Sequence, residues 1–106
     1  MSASIAIQVL PKVEDNRELI RIVDEVIAYI AGTGLHYEVG PFETTIEGEN
    51  YDELMKIAAE CQKVAVRAGA PQVSAYIKVV YRPEGEVLSI DQKIGKYRRR
   101  EFPAQS

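Results

Sequence analysis

Residues 37–48, Tyr-Glu-Val-Gly-Pro-Phe-Glu-Thr-Thr-Ile-Glu-Gly, restrict the fold more than any other stretch. Before the turn, Leu35, Tyr37 and Val39 alternate with His36 and Glu38; after it, Thr44 and Ile46 alternate with Thr45 and Glu47. Period-two alternation with β-branched residues marks strands. Gly40-Pro41 marks the turn, because glycine tolerates unusual φ and proline cannot continue a ladder. Gly48 stops the run. The hairpin has one apolar face, while the other presents His36, Glu38, Thr45 and Glu47. A polar face of this kind is either solvated or used.

Upstream, Ile5, Ile7 and Val9 alternate with Ala6, Gln8 and Leu10 in a strand that Pro11 ends. Both of its faces are fairly apolar, as a central strand requires. Asp15 with Glu18 has capping-box spacing and opens a helix carrying Leu19, Val23, Val26, Ile27 and Ile30; Gly32 and Gly34 close it. Downstream, Asn50 caps a second helix, with Glu53 three residues on. Leu54, Ile57, Ala58, Cys61, Val64, Ala65 and Ala68 form its continuous apolar stripe, and Gly69 and Pro71 end it. Residues 73–81 alternate as the longest strand, and residues 82–86 form a polar turn. Ser89 with Gln92 starts a short third helix carrying Ile90, Ile94 and Tyr97. Lys96, Arg98, Arg99 and Arg100 complement the dipole at its C-terminal end, and residues 102–106 read as loose.

The order is β-α-β-β-α-β plus a short helix. It predicts one α+β domain over residues 1–106 with a ferredoxin-like four-stranded antiparallel sheet and two helices on one face. The second face is expected to be open. It would carry Ala6, Gln8, Leu10, His36, Glu38, Thr45, Glu47, Tyr76, Lys78 and Val80. Leu10, Tyr76 and Val80 are too apolar for bare solvent exposure, so this face or an edge strand is expected to meet another copy.

Composition narrows the function classes. A net charge of −3 argues against a general polyanion binder. An RNA-binding sheet would need aromatics on its central strands, where this chain has Gln8, Thr45 and Glu47. One cysteine excludes an internal disulfide and a multi-cysteine metal site, which suits a reducing cytoplasm. The N-terminus has no basic segment ahead of Ile5-Ala6-Ile7, so no secretory signal is read, and no apolar run is long enough to span a bilayer. A phosphate-cradling loop after the first strand is absent, since Pro11-Lys12-Val13-Glu14-Asp15 has no glycine. No Ser or Cys stands at a spacing that pairs it with His36 as nucleophile and base.

Tyr37-Glu38-Val39-Gly40-Pro41, Thr44-Thr45-Ile46-Glu47-Gly48, Ala68-Gly69-Ala70-Pro71 and Lys93-Ile94-Gly95-Lys96-Tyr97-Arg98 together resemble the thiamine-binding protein family, the YkoF-like UPF0045/DUF77 group. The likeness runs from Ile5 to Tyr97. It implies a ferredoxin-like fold, a dimer of dimers, and binding of thiamine or its hydroxymethylpyrimidine half, without catalysis or a cofactor. The chain departs from the family pattern in Gln8, where many members have serine, and in Lys12-Val13-Glu14 after Pro11.

The residues agree with such a ligand. An aminopyrimidine offers an amino donor and ring-nitrogen acceptors on a flat apolar ring. Glu38 and Glu47 supply carboxylates, Gln8, Thr44 and Thr45 supply groups that donate or accept, and Tyr37 supplies a ring wall. Each also has a plainer reading. Tyr37 shares parity with Leu35 and Val39 and reads first as core, and Thr44 points with Ile46 unless the turn bulges. Glu38 and Glu47 read equally well as solvated charges. Cys61 reads as a small core residue, and His36 has no second ligand for a metal. The expectation is a cytoplasmic binding module for thiamine or hydroxymethylpyrimidine that acts as carrier, buffer or sensor. Its alternative is an oligomeric regulatory domain for another metabolite.

Overall fold

The computed structural model describes residues 2–99. The side chains of the Arg98-to-Arg100 run and the tail 101–106 lie outside the described residues. The elements are β1 (Ala3–Pro11), α1 (Asn16–Gly32), β2 (His36–Val39), β3 (Thr44–Gly48), α2 (Tyr51–Arg67), β4 (Val73–Tyr81) and α3 (Ile90–Arg99). The strands form one antiparallel sheet in the order β2-β3-β1-β4, the ferredoxin-like topology. The hairpin forms with Val39 opposite Thr44. Its connection closes through the Gly40 N–H, which donates to the Glu43 carbonyl at 2.8 Å. A Cβ at Gly40 would lie 2.9 Å from that oxygen, so the turn demands glycine.

β1 is the central strand and is longer than its pattern predicts. It pairs with β3 over Ala3–Ile7 and with β4 over its full length, as far as Pro11 opposite Val73. Its odd residues enter the core. Ile5 lies between Ile46 and Val79, and Ile7 between Thr44 and Ile77. Helices α1 and α2 cover this face with Ile22, Val26, Ile30, Leu54, Ile57, Ala58, Cys61 and Ala65.

Two details of α1 differ from the sequence reading. The buried row is Ile22, Val26 and Ile30, while Leu19, Val23 and Ile27 are half-buried. Apolar residues occupy much of this helix's circumference, so periodicity alone does not choose between neighbouring rows; contact with the sheet does. Asp15 caps the helix by accepting from the Arg17 N–H at 2.9 Å, but Glu18 does not complete a capping box. It turns to Arg21 at 2.7 Å, and the same guanidinium donates to the Ala68 carbonyl at 2.5 Å, tying α1 to the end of α2. Asn50 caps α2 as expected, accepting from the Glu53 N–H at 3.0 Å.

The largest departure is at the C-terminal end. The turn after β4 uses Gly85 at φ 103°, with Arg82 Nε donating to the Glu84 carbonyl at 3.0 Å. The chain then returns across the second face of the sheet, where Val87 and Ile90 become buried. Ser89 and Gln92 form the reciprocal capping box, with N–H to side-chain distances of 2.7 and 3.0 Å. The face that the pattern leaves open is therefore partly covered by the chain's own α3. The apolar spacing Val87, Ile90, Ile94 gives one helix face but does not say which sheet face it meets.

Ile22 is fully enclosed, whereas Ile20 on the same helix is 60% exposed. Ile22→Ala should lower the unfolding free energy by about 2–5 kcal/mol, and Ile20→Ala should change it by less than about 0.5 kcal/mol. Urea titration followed by circular dichroism measures both; equal effects would contradict this packing.

Candidate functional site

On the second face, antiparallel register aligns side chains in rows across the strands. One row runs His36, Glu47, Ser4, Val80 from β2 to β4, and the next runs Glu38, Thr45, Ala6, Lys78. With about 4.8 Å between strands, each row spans roughly 14 Å at the backbone.

Glu47 anchors the first row. It is only 6% exposed, because α3 lies on it. Its Oε2 accepts the backbone N–H of Ile90 at 2.8 Å, in buried surroundings, and its Oε1 lies 3.8 Å from His36 Nε2. The first N–H groups of a helix have no partner within the helix, and the helix dipole favours negative charge there. A carboxylate in the middle of a sheet face is thus satisfied by the helix that covers it. The ordinary strand alternation of β3 aims Glu47 at this point, and the capping box at Ser89 fixes where the helix begins.

The second row floors a pocket of about 220 Å³. Glu38, Thr45, Ala6 and Lys78 form the floor, while Ile90, Lys93 and Ile94 of α3 form the roof. Ser4, Ile5, Glu43 and Val80 complete its lining. Pockets for drug-sized ligands run to about 300–1,000 Å³, so this one suits a single ring. Carboxylate acceptors stand at the β2 end, a hydroxyl that donates or accepts stands beside them, and ammonium donors stand at the β4 end. The branched side chains of Ile90 and Ile94 can cover a flat ring.

The site residues expected from the sequence separate into groups. Glu38 and Thr45 are cross-strand partners and line this pocket together. Glu47 shares their face but its carboxylate is engaged by α3 rather than lining the cavity. Thr44 points to the helix-covered face and is 7% exposed. Thr44 and Gln8 line a different cavity of about 110 Å³ beneath the β2–β3 turn, walled by Val23, Val26 and Ile27 of α1. Tyr37 packs against the core cluster. Ser4, Glu43, Ile90, Lys93 and Ile94 are the lining residues that the strand pattern did not single out. For Ile90 and Ile94 the apolar face of α3 is the one signal in the sequence.

Cys61 is fully buried in the α2 stripe, and burial pushes its thiol up to about 11. It is packing rather than nucleophile. No cluster of metal-ligating side chains occurs among the described residues, and no helix among them is long and apolar enough to cross a membrane.

Fold and pocket together define a small α+β domain with a recess of about 220 Å³ between its sheet and α3. The thiamine-binding protein family matches residues 5–98, and this chain belongs to that family. A UPF0045 protein of Clostridium perfringens is 42% identical over 97 residues, which cover 92% of this chain and 98% of the relative. Among solved structures, a Streptococcus pneumoniae protein is 46% identical with a TM-score of 0.75, covering 91% of this chain and 100% of that one. A Thermotoga maritima protein described provisionally as a thiamine biosynthesis/salvage protein is 33% identical with a TM-score of 0.77, covering 92% and 99%.

Removing the Glu47 acceptor should release α3. In Glu47→Ala, amide exchange at Ile90 should accelerate by about ten- to a hundredfold, the loss expected of a charged hydrogen bond worth about 1.5–3 kcal/mol. Glu47→Gln keeps an acceptor and should lie between the two. Unaltered exchange in Glu47→Ala would show that α3 is held by other contacts. For Cys61, labelling by a thiol reagent at pH 8 should be at least about a hundredfold slower in the folded chain than in urea, because thiolate is the reactive form. The raised value also sets a sign for stability. The protonated thiol supports the fold below its ordinary value of 9.0, and that support fades as pH climbs toward about 11.

Proposed function

We propose that this chain binds thiamine or its hydroxymethylpyrimidine half in the pocket between the sheet and α3. It holds the ligand without turnover and acts as a carrier, buffer or sensor in the cytoplasm. The observation that carries this reading is the adjacent pair Glu38 and Thr45 on the floor of a single-ring pocket, in a chain of the thiamine-binding family. A carboxylate accepts from an exocyclic amino group, and the neighbouring hydroxyl donates to a ring nitrogen or accepts from the amino group. Ile90 and Ile94 line the same pocket, and in this reading they cover the ring. In this reading Glu47 acts on the ligand through α3, Gln8 and Thr44 belong to the neighbouring cavity, and Tyr37 belongs to the core.

The same reading includes self-association, as a dimer of dimers. β4 lies at the sheet edge and pairs only with β1. Tyr76 is 71% exposed on it, and Ile77, Val79, Val80 and Tyr81 are exposed as well. A long apolar edge strand is a template for pairing with another chain. Since Lys78 and Val80 of this strand line the pocket, association along β4 would also shelter the site.

Calorimetric titration with thiamine, with hydroxymethylpyrimidine and with several amino acids tests the reading. Heat from either pyrimidine compound and none from the amino acids is the expected result. Thr45→Val, which replaces the hydroxyl by a methyl, should weaken binding by about tenfold, the equivalent of roughly 1.4 kcal/mol. Silence from both pyrimidine compounds up to about 1 mM removes the proposal, and heat from an amino acid alone favours a regulatory domain for another metabolite. Sedimentation as a monomer would remove the oligomer from it.

A further inference from the structure

Ser4 and Glu47 are partners across β1 and β3, and they are 3% and 6% exposed. Helices α1 and α2 lie on the opposite face, so the cover over these two polar side chains is the returning segment around α3. That cover is thin. Among the described residues of α3 only Ile90 and Gly95 are buried, with Val87 just ahead of the helix, while Asp91, Gln92, Lys93, Lys96 and Tyr97 are exposed. Beneath Ile90, Lys93 and Ile94 lies the recess rather than packed core. The connection to the sheet has few ties as well. The Arg82 N–H donates to the Ser2 carbonyl at 2.8 Å. Beyond it, no backbone–backbone hydrogen bond among the described residues links residues 83–89 to the sheet, and Gly85 turns at φ 103°.

We infer that α3 is a lid over the recess, lifting on a hinge at residues 82–88 while the sheet and the two long helices stay folded, with Glu47 as its latch. Elements that bury little apolar surface open at a lower free energy than the core does. A helix of ten residues is too short to persist alone in water, so α3 unwinds as it lifts, and closure and helix formation are one step. Two devices favour the closed state. The Glu47 carboxylate accepts the Ile90 N–H at 2.8 Å, and the Ser89–Gln92 box satisfies the turn beside it. Both act at the start of the helix, where lifting must break them. A solute passes into the recess through the lifted state, so its entry is slowed by the fraction of time the lid is shut. Its exit is slowed for the same reason. Access is controlled in this way whichever molecule occupies the recess.

Thiol labelling reads the lid without any ligand. Ser4→Cys places a near-isosteric thiol under the cover, Lys56→Cys places one on the exposed side of α2, and the native Cys61 reports opening of the whole core. Labelling is followed by peptide mass spectrometry at pH 8 across low urea concentrations. The Ser4→Cys thiol should react at least about tenfold slower than the Lys56→Cys thiol and at least about tenfold faster than Cys61, as a partial opening requires. Its rate should rise only weakly with urea and that of Cys61 steeply, because the slope scales with the surface exposed. Adding Glu47→Ala should speed the Ser4→Cys reaction by about ten- to a hundredfold. Adding Ser89→Ala, which removes a cap without touching the recess lining, should speed it by about fivefold. Ala6→Cys, on the same lining, repeats the measurement should Ser4→Cys disturb the sheet. Labelling at the Lys56→Cys rate would mean an uncovered recess and overturn the lid. A rate and urea slope equal to those of Cys61 would mean that only global unfolding exposes it, and no acceleration in Glu47→Ala and Ser89→Ala would mean that α3 is not the cover; either result overturns it as well. Calorimetric silence toward the pyrimidines leaves these rates untouched, so the lid and the ligand stand or fall separately.

Discussion

A strand paired on both edges cannot roll, and β1 is fixed in this way over Ala3–Ile7. Its alternation is thereby converted into two surfaces with different tasks. Ile5 and Ile7 are committed to the core, between residues of β3 and β4 and beneath the two long helices. Ser4 and Ala6 are committed to the other side, where they form the middle of the polar rows. A slip of one residue would put Ile5 and Ile7 on the pocket floor and Ser4 and Ala6 in the core. The core and the candidate site therefore depend on the same register.

The second surface is shaped by one contact between elements far apart in sequence. Glu47 meets the first N–H of α3, a separation of 43 residues. A buried carboxylate without a donor would be costly, and a buried helix start without an acceptor would be costly as well. Each removes the other's penalty, and the capping box at Ser89 satisfies a further N–H of the same turn. The consequence is geometric. With its start pinned on β3, α3 is laid over the sheet so that Ile90, Lys93 and Ile94 roof the recess above Thr45 and Ala6.

The resulting site combines a small volume, an apolar cover and charge of both signs. They occur in a member of the thiamine-binding protein family. The exposed side of β4 adds an edge whose side chains reach both the pocket and the solvent. The recess and the exposed sheet edge are therefore physically adjacent in this fold.

The element order, the hairpin at Gly40-Pro41, the cap at Asn50, the apolar stripe of α2 and the placement of Glu38 and Thr45 on one face are legible in the amino-acid sequence. These follow from local rules: φ preferences, capping chemistry and the two periodicities of strand and helix. Parity already ranked Tyr37 as core, and the structure places it there. Packing selects which row of α1 is buried, sets Thr44 and Gln8 beside a separate cavity, and brings α3 back onto the polar face. Each of these turns on contacts between segments distant in the chain. Local periodicity shows that an element has a face but carries no information about what that face will meet. Glu47 illustrates the limit: its position on the strand was legible, but its partner, the N–H of Ile90, exists only once the chain has folded back.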